Sequence, residues 1–194
     1  MKAVLRARGF TRKAATVQSS PPRRPRQGGL DRSRSPAWHD AAVSERQAPR
    51  PVRSDYVAWR TATSRWRDDD AYGHLNNATY YELFDTAVNA HLFEATGTNV
   101  RLLPQIGVVA ETSCRYFREI GFPEPIEMGL VVDKVGTSSV IYRIGLFQGE
   151  DDEAAAEGRF VHVYVDNTRG PGDRPVTPMP EEIRAAVEPL LRTT

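Results

Sequence analysis

The chain has 194 residues, a formal net charge of +1 and 40% hydrophobic residues, which suffice for one or two globular domains with a sizeable core. A single cysteine, Cys114, excludes an internal disulfide framework, so we expect a reducing, cytoplasmic setting. No apolar run approaches the roughly 18 residues that a membrane-spanning helix needs.

The small net charge conceals an uneven distribution along the chain. Residues 1–54 hold 13 of the 26 basic residues but only 3 of the 25 acidic ones. This segment is rich in Arg, Pro and Ser and poor in large apolar residues, so it cannot bury enough surface to offset the entropy lost on ordering. We therefore predict a disordered basic tail over 1–54 and a globular domain over 55–194.

The role of the tail stays open at this level. A start codon assigned too far upstream, or a tail without a specific role, explains its composition. Arg- and Ser-rich, acid-poor segments are also typical of organelle transit peptides. Attachment to nucleic acid through Arg23-Arg24-Pro25-Arg26 is the weaker alternative, because no aromatic residue interleaves the charges.

A strand is predicted over Tyr56–Trp66, and a long helix follows the stretch Asp68-Asp69-Asp70-Ala71-Tyr72-Gly73-His74-Leu75-Asn76-Asn77. We place the helix start near Asn77–Thr79, with a cap from Thr79 (paired with Glu82), Asn76 or Asn77. Apolar residues then recur at helical spacing. They are Tyr80, Leu83, Phe84, Ala87, Val88, Ala90 and Leu92. Gly97 is the predicted stop.

Four further strands and a short helix are predicted after Gly97. The strands cover 105–116, 126–134, 138–148 and 154–166, and the helix covers 181–191. In the first of them, strict alternation places six residues on one face. They are Ile106, Val108, Ala110, Thr112, Cys114 and Tyr116. One strand, a long helix and four more strands predict an α+β fold, an antiparallel sheet wrapped around one long helix.

The turn and helix resemble the hot-dog-fold acyl-CoA thioesterases of the 4-hydroxybenzoyl-CoA thioesterase type. The pattern Asp-x-Asp-x-x-Gly-His-x-Asn-Asn is carried by Asp68, Asp70, Gly73, His74, Asn76 and Asn77, with Tyr80 in the usual aromatic place. The resemblance extends over about residues 55–190. It implies a hot-dog topology and a homodimer or homotetramer, in which two sheets join edge to edge and the active sites lie between subunits.

Thioester hydrolysis needs an attacking oxygen and donors for the oxyanion that forms on the carbonyl. A carboxylate supplies the first, and free N–H groups at a helix N-terminus supply the second. Taken alone, Asp70 before a helix is more often a cap. The resemblance implies that Asp70 is the catalytic nucleophile or general base.

The expected substrate-binding residues are Gly73, His74, Asn77, Ala78 and Thr79. Gly73 permits close approach of a ligand, and N–H groups near Asn77–Thr79 would polarise the thioester carbonyl. His74 either positions substrate or water, or donates to a nearby carbonyl as a structural histidine.

Other sites are less well supported by the residue pattern. The spacing from Asp68 places Gly73 correctly for a calcium loop, but Tyr72 at the fifth position and Thr79 at the twelfth supply no carboxylate. The four histidines lack a metal-ligand spacing with Cys114. Cys114 itself is expected to be a small core residue. We expect no metal and no other cofactor.

Two further neighbours of this turn have simpler expected roles. Asp68 should hydrogen-bond the turn backbone, and Asp69 should be solvated.

The leading functional prediction is hydrolysis of an acyl-CoA thioester to a free acid and CoA. The alternatives are another hot-dog enzyme, a hydratase or dehydratase on acyl thioesters, and a non-catalytic acyl-binding protein. Acyl chain length, aromatic or aliphatic preference, and CoA or acyl carrier protein as carrier stay open, as does targeting by the tail.

Overall fold

The computed structural model describes residues 49–170 and 172–192 and contains one five-stranded antiparallel sheet with a long helix on its inner face. The elements are β1 (Ala58–Ala62), α1 (Asn77–Thr96), β2 (Gln105–Tyr116), β3 (Ile126–Val135), β4 (Ser139–Phe147), β5 (Ala156–Asp166) and α2 (Glu181–Val187). The strand order is β1-β3-β4-β5-β2, so that β1 and β2 form the two edges. The predicted α+β class is confirmed. Within the described residues, no helix is long and apolar enough to cross a bilayer.

Helix α1 has the predicted limits. Asn76 is its N-terminal cap, because its side-chain Oδ1 accepts a hydrogen bond from the N–H of Ala78 at 3.0 Å. Gly97 ends the helix in the left-handed region with φ of +63°, where a residue with a side chain is strained. The side chains that α1 buries against the sheet are Tyr80, Phe84, Ala87, Val88 and Leu92.

The inner face of the sheet forms the core together with α1. In β4 four alternating residues, Val140, Tyr142, Ile144 and Leu146, are fully buried. Gly158 on β5 leaves the space that the ring of Phe84 occupies, since a Cβ at Gly158 would lie 2.5 Å from that ring. The contact brings α1 close to the sheet at its midpoint.

The predicted single face of β2 is wrong, because the strand contains a β-bulge. Ala110 has no partner in β5, since Val109 pairs with His162 and Glu111 pairs with Val161. The extra residue reverses the alternation. Ile106 and Val108 therefore lie on the outer face. Thr112, Cys114 and Tyr116 face inward, opposite Phe160, Gly158 and Ala156.

Three element boundaries also differ from the prediction. Strand β1 is shorter, and residues 51–53, expected in the tail, belong to the folded domain, since the Pro51 carbonyl accepts from the N–H of Ala154 at 2.8 Å. Helix α2 stops at Val187, because Pro189 has no N–H to continue it and a 3-10 turn follows. The predicted disorder of residues 1–48 lies outside the described residues.

A buried histidine lies on the inner face of β5. The side chain of His162 is 2% exposed, and both ring nitrogens lack a hydrogen-bond partner among the described residues. Its ring packs between those of Tyr142 and Phe160, with centroids 5.5 and 5.2 Å away. Burial lowers the pKa of His162 to about 4, so the imidazole is neutral at physiological pH.

The neutral state of His162 makes the fold sensitive to mild acid. Between pH 6.5 and about 4 the unfolded chain binds a proton at His162 that the folded chain does not, so stability is lost as the pH falls through this range. At about 1.4 kcal/mol per pKa unit, the free energy of unfolding should fall by up to about 3 kcal/mol. Urea titrations at pH 7 and pH 4 should measure this loss. In His162→Leu the free energy of unfolding should fall less between pH 7 and pH 4, because the contribution of His162 is absent. An equal decrease in both proteins would contradict the low pKa of His162.

The close contact of the Phe84 ring with Gly158 predicts a second effect on stability. Gly158→Ala should lower the free energy of unfolding by about 1–3 kcal/mol, because the new methyl group forces the ring or the sheet to move. Gly170→Ala is the matched control, since a Cβ there meets no atom within 4 Å. Urea midpoints of the two variants measure the difference. Equal midpoints would show that α1 does not pack this closely on β5.

Candidate active site

The turn between β1 and α1 is closed by its own backbone hydrogen bonds. The N–H of Gly73 donates to the carbonyl of Asp70 at 3.2 Å, and the N–H of Asp70 donates to the carbonyl of His74 at 2.7 Å. Gly73 has φ of +82°, a conformation in which a side chain would be strained. The N–H of Leu75 donates to the carbonyl of Ile120 at 2.7 Å and fixes the turn to the loop after β2.

The two carboxylate oxygens of Asp70 have different surroundings. Oδ1 accepts from the N–H of Tyr72 at 2.7 Å and from the N–H of His74 at 3.3 Å. Oδ2 accepts no hydrogen bond from any residue that the structure describes. Asp70 is half-buried and borders a cavity of about 580 Å³. One oxygen thus holds the turn while the other is available for chemistry.

The first N–H groups of α1 differ in whether they have a hydrogen-bond acceptor. The N–H of Ala78 donates to the side chain of Asn76, and the N–H of Thr79 donates to the Asn76 carbonyl at 2.8 Å. The N–H of Asn77 has no partner in the described part of the chain, and Asn77 lines the same cavity as Asp70. Of the three amides expected to polarise a carbonyl, Asn77 alone is free to do so.

The cavity lies between the start of α1 and the end of β2. Its lining consists of Asp70, His74, Leu75, Asn77, Tyr80, Tyr116, Phe117, Arg118 and Glu119. Residues 116–119 were not predicted as site residues. The sequence contains no local pattern that assigns them there, because they reach Asp70 only through the β2–β5 pairing and the contact of Leu75 with Ile120.

Two tyrosine rings form a neutral part of the cavity wall, and a thiol lies on the same strand as one of them. The rings of Tyr80 and Tyr116 meet edge to face, with centroids 4.9 Å apart. Burial raises the pKa of Tyr80 to about 12 and raises that of Tyr116 further. Burial also raises the pKa of Cys114 to about 11, so this thiol is a poor nucleophile, as expected for a core residue. None of the three groups ionises at neutral pH.

Three ionisable side chains also line the cavity, those of His74, Arg118 and Glu119. His74 Nε2 is 3.1 Å from Glu119 Oε2, and both side chains are substantially exposed. Arg118 donates from Nη2 to the Gln148 carbonyl at 2.6 Å, and its Nε lies 3.3 Å from Asp151 Oδ2. These contacts hold the histidine ring and the guanidinium in place.

The two remaining aspartates of the turn are structural. Asp68 Oδ2 accepts from the Arg65 N–H at 2.8 Å, as the sequence predicts, and hydrogen bonds and charge from Arg65 lower the pKa of Asp68. The prediction of a solvated Asp69 is wrong. Both of its carboxylate oxygens accept a hydrogen bond from the N–H of Phe122, at 3.2 and 3.3 Å. Asp69 therefore ties the turn to the loop before β3.

Across residues 49–170 and 172–192, no three His, Cys, Asp or Glu side chains lie close enough together to hold a metal ion.

Comparison with known proteins places this geometry in a family. The Thioesterase-like superfamily pattern matches residues 64–187. PA5185 from Pseudomonas aeruginosa strain PAO1 is 44% identical, with a TM-score of 0.69 over 74% of this chain and 97% of that one. PA2801 from Pseudomonas aeruginosa, a candidate thioesterase, is 29% identical, with a TM-score of 0.60 over 68% and 98%. No curated protein matches the sequence.

More distant structures share the fold. The gentisyl-coenzyme A thioesterase BH1999 is 19% identical, with a TM-score of 0.57 over 66% of this chain and 98% of that one. The family pattern spans the turn, α1 and all of β2 to β5, which is more than half of the chain. The chain therefore belongs to the Thioesterase-like superfamily and is a thioester hydrolase with a hot-dog fold.

Proposed function

We propose that the protein hydrolyses acyl-CoA thioesters, with Asp70 supplying or activating the attacking oxygen. One observation carries this proposal. Asp70 and Asn77 border the same open cavity, and the Oδ2 of Asp70 and the N–H of Asn77 have no hydrogen-bond partner among the described residues. An anionic oxygen and an unpaired amide donor are the two groups that acyl transfer to water requires.

Two routes use Asp70 differently. As general base, Oδ2 takes a proton from water while the water oxygen bonds to the thioester carbon; the C–S bond then breaks, its electron pair leaves with sulfur, and Asp70 returns the proton to the thiolate. As nucleophile, Oδ2 itself bonds to the carbon and displaces the thiolate, and water hydrolyses the mixed anhydride. The products are the same.

Of the amides of Asn77, Ala78 and Thr79, that of Asn77 is the best candidate for the oxyanion donor. The amides of Ala78 and Thr79 are satisfied by Asn76, so we restrict the amide role to Asn77. One such donor is typically worth about 2.7–4 kcal/mol of barrier. The positive end of the α1 dipole adds to the same effect.

The other expected residues position these two groups. Gly73 gives the turn the backbone conformation that aims the N–H of His74 at Asp70. His74, paired with Glu119, lines the cavity and would contact the substrate there. Arg118 places positive charge on the cavity wall, which suits the phosphates of CoA. The similarity to PA2801, a candidate thioesterase, agrees with thioester hydrolysis.

Replacing Asp70 tests the proposal directly. Asp70→Asn should lower kcat by at least about a hundredfold, because the amide neither accepts the water proton nor attacks the thioester. Its Oδ1 can still accept from Tyr72 and His74, so the fold should remain. Release of free thiol from a panel of acyl-CoA esters measures the rate.

Asp69→Asn is the matched control, since an amide oxygen there can still accept from Phe122, and its rate should match the wild type. Equal rates for Asp70→Asn and the wild type would refute the role of Asp70. Water addition to an enoyl-CoA would favour the hydratase alternative, and tight acyl-CoA binding without turnover would favour the acyl-binding one. A single turnover in ¹⁸O-labelled water tests for the nucleophile route, because label enters Asp70 when water attacks the Asp70 carbonyl carbon of the mixed anhydride, and the general-base route places no label there.

We also propose a homodimer, alone or within a tetramer, joined along β2. This strand is 12 residues long and pairs only with β5 among the described strands, so one row of its backbone N–H and C=O groups is unpaired. Long open edges readily pair with another chain. Val109 and Tyr116 on this strand are each 47% exposed. Pairing of β2 with its copy would satisfy the edge and cover both side chains.

Ala110 offers a way to block this pairing without breaking the sheet. It is the bulged residue without a partner in β5, and proline is tolerated at bulges. Ala110→Pro should therefore keep the circular dichroism spectrum of the wild type but sediment as a monomer of 21.7 kDa. Analytical ultracentrifugation measures this change. A wild type that sediments as a monomer would contradict the proposed dimer.

A further inference from the structure

A second cavity lies at the other end of α1 from Asp70. It has a volume of about 190 Å³, and we call it the His162 cavity after the buried histidine in its lining. Its apolar wall includes Leu92, Val100, Leu103 and Ile183, and the polar part of the lining includes Asn89, Arg101, Gln105 and Asn167. Leu92 is fifteen residues from Asn77, about 22 Å along the helix. Within one chain the His162 cavity is therefore separate from the site of Asp70.

His162 gives this cavity a polar side chain that no described residue hydrogen-bonds. Its side chain is 2% exposed, and neither ring nitrogen has a hydrogen-bond partner among residues 49–170 and 172–192. Buried polar groups are nearly always paired, because an unpaired one loses its hydration without compensation. A neutral imidazole offers one donor and one acceptor. A ligand that both accepts and donates would complete it.

Gly107 keeps the space beside this ring open. A Cβ at Gly107 would lie 2.9 Å from His162 Nδ1, so any side chain there would press on the nitrogen. Gly107 also lines the cavity. The missing side chain thus leaves Nδ1 adjacent to the cavity and not covered by β2.

The size and chemistry of the cavity define its occupant. An apolar cavity of about 150 Å³ holds one benzene ring, so about 190 Å³ holds a ring with a small substituent. The apolar part of the lining favours an uncharged ring, and the neutral imidazole favours a group that both gives and accepts a hydrogen bond. Arg101 in the same lining would instead favour an anion, so the affinity for benzoate tests the choice of an uncharged group. We propose that the His162 cavity binds a neutral, ring-sized group that carries a hydroxyl.

Two sources could supply such a group. One is a free phenol-like molecule. The other, which rests on the proposed hydrolysis and dimer, is the acyl group of the substrate. Gly107 and Tyr116 lie near opposite ends of β2, about 30 Å apart. If two β2 strands pair antiparallel along their whole length, the His162 cavity of one subunit lies beside the Tyr116 end of its partner.

Binding of phenol to the resting protein tests the site itself. Phenol should bind at least about tenfold more tightly than toluene, since a site that pairs with a hydroxyl rejects the analogue without it. It should also shift the ring ¹⁵N resonances of His162. Calorimetry and NMR measure the two effects. Equal affinities, an unmoved His162 resonance, or tighter binding of benzoate than of phenol would overturn the proposal.

Variants separate recognition from folding. His162→Leu removes an unpaired polar group, so it should fold and should lose the preference for phenol over toluene. His162→Gln keeps a donor and an acceptor and should retain the preference. Val100→Phe should abolish binding by filling the cavity. Asp70→Asn is the matched control outside it and should bind phenol like the wild type. Loss of the preference in Asp70→Asn would overturn the assignment to this cavity.

A pair of substrates identifies the source. The kcat/KM values for (4-hydroxyphenyl)acetyl-CoA and phenylacetyl-CoA are compared in the wild type and in His162→Leu. A preference for the hydroxylated ester that His162→Leu loses supports the site and assigns it to the acyl group. If phenol binds but His162→Leu keeps the wild-type preference between the two esters, the result supports a site for a free molecule. If the wild type hydrolyses neither ester, the assignment to the acyl group fails; if it hydrolyses no ester of the acyl-CoA panel, the proposed function fails, whereas phenol binding still decides the proposal for the cavity.

Discussion

Asn76 connects the start of α1 to the turn that carries Asp70, and the geometry of the site depends on this connection. Its N–H donates to the carbonyl of Asp68 at 2.8 Å, while its side chain and carbonyl accept from Ala78 and Thr79. Asp68 is in turn held by Arg65. The distance between the carboxylate of Asp70 and the first free amide of α1 is therefore fixed by hydrogen bonds that need no substrate.

The core holds this junction in place. Phe84 occupies the gap above Gly158, and the stripe of α1 that includes Leu92 packs on the same face of the sheet. Because the helix is seated on the sheet along its length, the end with Asn77 meets the end of β2 at Tyr116. The neutral aromatic wall there has a low dielectric constant, which strengthens the interaction of Asp70 with charge that develops nearby.

Strand β2 has several roles in this fold. It is an edge, it contains the bulge at Ala110, and its two ends border two cavities. The bulge turns Thr112 and Tyr116 inward, so the end of the strand contributes to the wall beside Asp70. At the other end Gly107 leaves room next to His162. The same strand thus connects the proposed chemistry, the proposed dimer and the second site.

The sequence by itself determined the features that depend on neighbours along the chain. The limits of α1, the stop at Gly97 and the turn motif with Asp70 all follow from residues within one or two turns of each other. Only the tertiary structure decided that Asp69 binds Phe122, that Ala110 bulges, that Arg118 reaches the cavity and that His162 is buried without a partner among the described residues. Each of these depends on strand register or loop packing between residues far apart in the chain, which periodicity does not encode.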